Sequence, residues 1–141
     1  MVLNFRAFDK ESKLIREVVA IYFGESAAEL HIKDGENPEY KKLNKIILMQ
    51  STGLYDINNV ESFEGDILSR QVHVWIYGRD SSEWITEKYP VVCRDGTCRI
   101  NGEILGDVLE EGIREDGLRQ TGVQIIGNIH QNKDLLEQTD K

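Results

Sequence analysis

The chain has 141 residues, 40% hydrophobic and 30% charged, with 17 Lys and Arg against 25 Asp and Glu for a formal net charge of −8. This composition excludes the low-hydrophobicity regime of disordered chains, and its acidic balance disfavours non-specific binding to a nucleic-acid backbone. No apolar run approaches the roughly 20 residues of a membrane-spanning helix. The opening Met1–Arg6 lacks the basic and apolar regions of a signal peptide, so the expected setting is cytoplasmic, with no membrane partner. The length suits one unit over 1–141, or two small lobes sharing a core.

Val2 to Phe8 reads as a strand, followed by a polar turn at Asp9–Lys13. Leu14 to Phe23 fits two periods: Leu14, Ile15, Val18, Val19 and Tyr22 stripe a helix, while Ile15, Val19, Ile21 and Phe23 fit a strand face. The β-branched Val18, Val19 and Ile21 favour a strand that forms a hairpin with the first. Glu25 to Lys33 holds a short helical turn or a strand, and Asp34–Pro38 is a loop. Leu43 to Gln50 is a strand that Thr52-Gly53 closes. These elements give an N-terminal β-rich lobe over 1–55, with strands 2–8, 14–23 and 43–50.

Tyr55 to Glu64 is a polar connection with a turn at Asn58-Asn59. Ile67 to Tyr77 is the strongest strand, with Val72, Val74 and Ile76 alternating against His73, Trp75 and Tyr77. Gly78–Ser82 turns it back into Glu83–Cys93, and Asp95-Gly96 signals a two-residue type I′ hairpin leading to Thr97–Leu105. That register sets Cys93 opposite Cys98, close enough to permit a disulfide; a reducing compartment favours two free thiols. Leu105, Val108, Leu109 and Ile113 have helical spacing and predict a short amphipathic helix over 105–114. Val123–His130 is a last strand, and Asn132 is a candidate N-cap for a helix over 132–138. The fold class is α+β, mainly β. Short strands and tight turns in the second half point to a small, curled antiparallel barrel or sheet with helices at its edges.

Recognisable chemistry is absent. Two cysteines and three scattered histidines (His31, His73, His130) lack zinc-ligand spacing. Asp56–Glu61 begins like a calcium loop, but Val60, Glu61 and Ile67 stand where an oxygen ligand, glycine and glutamate are required. No phosphate-cradling loop, Gly-x-Ser-x-Gly elbow or His-Glu-x-x-His is present. Glu64 and Asp66 could form an acid/base pair, but carboxylates near a turn more commonly serve structure. No catalytic residue, cofactor or metal is expected, and the chain is not read as an enzyme.

Two features carry functional promise. If Val72, Val74 and Ile76 face a core, then Trp75 and Tyr77 point outward, with Trp84 on the neighbouring strand, as a contact for another lobe, a subunit or a ligand. From Asn101 to Leu118 six acids, including Glu110, Glu111 and Glu115, face the single base Arg114. That stretch is either a solvated face or an acidic docking patch for a basic partner.

Leu48-Met49-Gln50-Ser51-Thr52-Gly53-Leu54-Tyr55-Asp56 and Phe63-Glu64-Gly65-Asp66-Ile67-Leu68 together resemble the YopX family, small proteins encoded by phages and prophages. Phe5-Arg6-Ala7-Phe8-Asp9-Lys10 resembles that family's opening motif, with Phe8 in place of a tryptophan. Ile126–Leu136 resembles its closing motif, with His130, Gln131 and Lys133 where Tyr, Glu and Pro are usual. Ser51 stands where an aromatic is common, Asn58-Asn59 replaces an Asn-Gly turn, and Arg70–Gln120 matches no motif. The resemblance implies an SH3-like β-barrel in the C-terminal half, here 62–131, and a tendency to form homo-oligomers. It brings no catalytic residue. Residue by residue, the motifs read as fold determinants: Gly65 and Gly53 as turns, Gly127 as a bulge or close approach, Asn128 and Asn132 as backbone-bonding groups.

The expected function is a non-enzymatic phage or prophage accessory protein that binds a host or phage protein, without direct nucleic-acid contact. The alternatives are an oligomeric binder that sequesters a nucleotide-like molecule, and an assembly component whose role is self-association.

Overall fold

The computed structural model describes residues 4–30, 38–76, 78, 81–114 and 116–136. The chain is mainly β and divides into two compact units, Met1–Ser51 and Thr52–Lys141.

In the first unit, Phe5–Asp9 (β1) and Leu14–Tyr22 (β2) form the expected antiparallel hairpin. Ala27–Leu30 (β3), Glu39–Lys42 (β4) and Ile46–Tyr55 (β5) complete the order β4-β3-β2-β1-β5. The ambiguity at 25–33 resolves, over the described residues, as the end of a 3-10 turn, Phe23–Glu25, followed by strand from Ala27 to Leu30, where β3 pairs on both edges. Ala7, Ala28, Leu30 and Ile46 are buried together, with Val18, Ile21, Leu43 and Leu48 packed on them. Asp9 shares this burial. Its carboxylate accepts the Glu11 amide at 3.0 Å and lies 3.3 Å from Arg16 Nε and 3.7 Å from Lys41 Nζ. Burial works to raise its pKa, but the backbone amides and Lys41 overcome that and hold the carboxyl below its ordinary value.

The second unit is built around Asp66–Trp75 (β7), which follows the short strand Glu61–Phe63 (β6). Ser82–Pro90 (β8) pairs along one edge of β7 from Trp75↔Ser82 to Ile67↔Pro90. On the other edge, Gln124–Asn128 (β14) pairs with the start of β7, and Arg119–Gln120 (β13) with His73 and Val72. Gly112–Ile113 (β12) adds outside β13. A separate meander joins Val92–Arg94 (β9), Thr97–Ile100 (β10) and Glu103–Ile104 (β11), followed by one helical turn, Leu105–Val108 (α1). The core comprises Leu68, Val91, Ile100, Leu105, Val108 and Val123.

Side chains of the motif segments tie down backbone. Asp56 Oδ1 accepts the amides of Asn58 and Val60, each at 2.9 Å, and its Oδ2 accepts Ile125 N–H at 2.9 Å. Asp66 accepts Phe63 N–H at 2.8 Å, and Glu64 accepts Cys93 N–H at 3.2 Å, so both carboxylates near the turn serve structure. Gly65 has φ +91°, a conformation that side chains resist. The register slips between Ile125 and Gly127, and a Cβ at Gly127 would lie 2.6 Å from Asn132 Oδ1. Both the bulge and the close approach are therefore present.

Several expectations are corrected. The strand expected to close at Thr52-Gly53 runs on to Tyr55, with Gly53 at φ +76° inside it. Its continuation lies beside β6, where the Thr52 and Ser62 hydroxyls are hydrogen-bonded and Ser62 Oγ donates to the Leu54 carbonyl. The helix expected over 105–114 is one turn long. Gly106 weakens it, and Gly112-Ile113 are taken by pairing with β13. Over the described part of 132–138 the chain forms a 3-10 turn, Lys133–Leu136. Asn132 stands at its start, where its carbonyl accepts Leu135 N–H at 2.9 Å while its side-chain Oδ1 accepts Asn128 N–H at 3.2 Å. Among the described residues the sheets are open, with no closed barrel.

Cys93 and Cys98 are not free thiols. The Asp95-Gly96 turn, with φ +52° and +78°, puts them directly opposite at a Cα separation of 4.0 Å, and they are bonded. The bond closes a short loop, for which chain entropy gives about 2 kcal/mol. Replacing both cysteines by serine is expected to lower the unfolding free energy in urea by about that amount; an unchanged denaturation curve would refute a formed cross-link.

Candidate functional site

The period-2 alternation of β7 places its odd-numbered residues on one face and its even-numbered residues on the other. The inner face carries the core residue Leu68, then Arg70 and Val72, which are 2% and 0% exposed. A guanidinium cannot be buried without partners. Arg70 has them from three other strands. Its Nε donates to Glu87 Oε1 at 2.9 Å, directly across the β7–β8 ladder, and its Nη2 to Glu103 Oε2 at 2.6 Å. Its Nη1 donates to Gln120 Oε1 at 3.1 Å. Burial alone would lower the Arg70 pKa, and Glu103 and Glu87 more than compensate, leaving it above its ordinary value.

The network extends outward. Glu87 Oε1 also accepts from Arg114 Nη1 at 3.0 Å, and Arg114 Nη2 donates to Asp116 at 2.8 Å. Gln120 Nε2 donates to the carbonyls of Val108 at 2.8 Å and Glu110 at 3.2 Å. The segment after α1, which carries Glu110 and Glu111, is thereby tied to the sheet. The acidic stretch is thus not a uniformly solvated face: Glu103 is committed to Arg70, while Asp107, Glu110 and Glu111 are exposed. These residues line an open groove of about 620 Å³, with Arg99, Arg114 and Ile113 also on its walls.

On the outer face, strand register makes a row across four strands: Ile113 opposite Arg119, Arg119 opposite His73, His73 opposite Trp84. Trp75 lies two residues along from His73. Its ring centroid is 6.1 Å from the His73 ring, and that of Trp84 is 4.9 Å away. His73 Nε2 is hydrogen-bonded to Ser82 Oγ at 2.8 Å. Both tryptophans of the chain are here, Trp75 70% exposed and Trp84 50%, with Ile113 71% exposed. They line a shallow groove of about 520 Å³ with Gly117, Leu118 and Arg119. Among the described positions that register puts on this face, none is acidic.

Ile113 lines both grooves. The aromatic strip and the acidic strip, far apart in sequence, therefore meet along one ridge. Trp75, Trp84, Glu110 and Glu111 belong to this surface, while Tyr77 and Glu115 lie outside the described residues. Sequence reading misses Ile113, Arg119 and the Arg70 network. Helical spacing assigns Ile113 to a buried stripe, whereas its strand pairing turns it outward.

Similarity to known proteins extends over nearly the whole chain. The family model described as YopX protein matches residues 4–137. The chain belongs to the YopX family. This YopX-family chain is also similar to a solved structure, the crystal structure of protein EF1440 from Enterococcus faecalis, with 26% identity and a TM-score of 0.61. The likeness covers 96% of this chain and 99% of that one. No curated protein matches the sequence. Among the described residues, no group of three or more His, Cys, Asp or Glu is placed to hold a metal ion, and no helix is long and apolar enough to cross a membrane.

An exposed aromatic that serves contact rather than folding contributes little to stability. Trp75→Ala and Trp84→Ala are each expected to change the unfolding free energy by less than about 1 kcal/mol, against about 3 kcal/mol for Leu68→Ala in the core. Equal losses in urea denaturation would contradict a contact role.

Proposed function

We propose that this YopX-family chain is a non-enzymatic phage or prophage accessory protein that acts by binding another protein. The single observation that carries this reading is the ridge at Ile113, where an exposed Trp–His–Trp strip meets an acidic groove. Large exposed aromatics at the centre of a patch and charges at its rim are the usual anatomy of a protein contact. The acid-free aromatic face would take apolar anchors, and Asp107, Glu110 and Glu111 would take the basic groups of the same partner. The partner is therefore a host or phage protein with a basic, partly apolar segment.

Four carboxylates of the motif segments support a non-enzymatic role. Asp9, Asp56, Glu64 and Asp66 all accept hydrogen bonds from backbone amides. The aromatic strip would also serve a homo-oligomer, in which a second copy covers the tryptophans. In this reading the sheet around β7 is an opened SH3-like arrangement, with β7 shared between β8 on one edge and β13 and β14 on the other.

Pull-down from host lysate with mass-spectrometric identification tests the proposal. Trp75→Ala with Trp84→Ala, or Glu110→Lys with Glu111→Lys, is expected to remove the captured partner, and capture is expected to weaken as salt rises from 0.1 to about 0.5 M. Retention of the same partner by both double variants would overturn this surface.

A further inference from the structure

A further groove lies on the β9–β10 hairpin and shares only Arg99 and Gly102 with the acidic groove. The hairpin has two unlike faces. Cys93 and Cys98 turn inward, pack on the core and are bonded. The residues between and beside them, Val92 and Arg94 on β9 and Thr97 and Arg99 on β10, alternate to the opposite face. The register pairs Arg94 with Thr97 and Arg99 with Val92, so the two arginines are diagonal neighbours across the ladder. Together with Tyr89, Pro90 and Gly102 they line an open groove of about 570 Å³.

The lining has a division of labour. Tyr89, Pro90 and the 44%-exposed Val92 make an apolar wall. Arg94 and Arg99 are exposed, and Asp95 is the single acid on the rim. Arg99 Nη1 donates to the Gly102 carbonyl at 3.1 Å, which fixes its guanidinium over the β10–β11 turn and leaves its other N–H donors for a ligand. In a chain with net charge −8, two guanidiniums beside an apolar wall form a local reversal of charge. The cross-strand disulfide holds both arginine-bearing strands in one register from behind, so the site is pre-organised.

We infer that this groove binds a small organic anion, with its phosphate or carboxylate held by Arg94 and Arg99 and a flat apolar group lying on Tyr89, Pro90 and Val92. A guanidinium pair recognises an oxyanion through charge-assisted hydrogen bonds, and the apolar wall distinguishes such a ligand from a bare ion.

Three probes separate the contributions: phenyl phosphate has charge and ring, inorganic phosphate has charge alone, and phenol has ring alone. In ¹⁵N-resolved NMR titrations of the full chain, phenyl phosphate is expected to shift the amides of Val92, Arg94, Thr97 and Arg99 with at least roughly tenfold higher affinity than either control. Arg94→Gln, an exposed position beside the turn, is expected to weaken phenyl phosphate roughly tenfold with the rest of the spectrum unchanged. Arg99→Gln repeats the test at the second guanidinium. The site is overturned if phenyl phosphate shifts none of these amides, if inorganic phosphate binds equally well, or if Arg94→Gln leaves the affinity unchanged.

Discussion

The buried guanidinium of Arg70 is the constraint on which the second unit depends. A charge that is 2% exposed demands partners, and each comes from a different strand. Glu87 fixes the register of β8 against β7, Gln120 sets where β13 docks, and Glu103 anchors the β10–β11 turn region. The consequence for the candidate surface is geometric. Gln120 holds the carbonyls of Val108 and Glu110, and Arg114 shares Glu87, so the strip with Glu110, Glu111 and Ile113 has its place set from inside the sheet. The exposed rows on the other face follow from the same register. Inner charge pairing and outer aromatic display are two sides of one strand.

Local signals made part of this legible in the sequence. The alternation from Val72 to Ile76 marks a strand buried on one side, and Asp95-Gly96 specifies the turn that sets Cys93 against Cys98. Both depend on neighbours within a few residues. The Arg70 network does not. Its partners stand 17, 33 and 50 residues away, so although the alternation puts Arg70 on the face of Val72, nothing local names the groups that neutralise it. The segment 105–114 departs from expectation for a related reason: its helical spacing is real, but pairing of Ile113 with Arg119 outweighs a weak propensity broken by Gly106 and Gly112. The expected compartment favours free thiols, whereas the hairpin sets the two cysteines opposite each other and they are bonded.

The family signature and the candidate surface have separate roles. Asp56, Asp66, Asn128 and Gly127 lie in the signature segments, and each serves the backbone, either by accepting amides or by making room for Asn132. Such residues specify a fold and offer no chemistry to a ligand. The aromatic row, the acidic groove and the arginine-lined hairpin all lie within Arg70–Gln120, between the signature segments and inside the 4–137 span that the family model matches. If the candidate surface binds as proposed, this is the division expected of contact residues that ride on a scaffold that other residues determine.

The most direct test is native-state hydrogen exchange of Arg70→Met, which keeps side-chain bulk and removes the charge. If Arg70 positions the strip Gly106–Ile113, exchange of the described amides of that strip and of Thr121 will quicken while β1–β5 keep their protection. Uniform loss of protection throughout the chain, or none at 106–113, would contradict that claim.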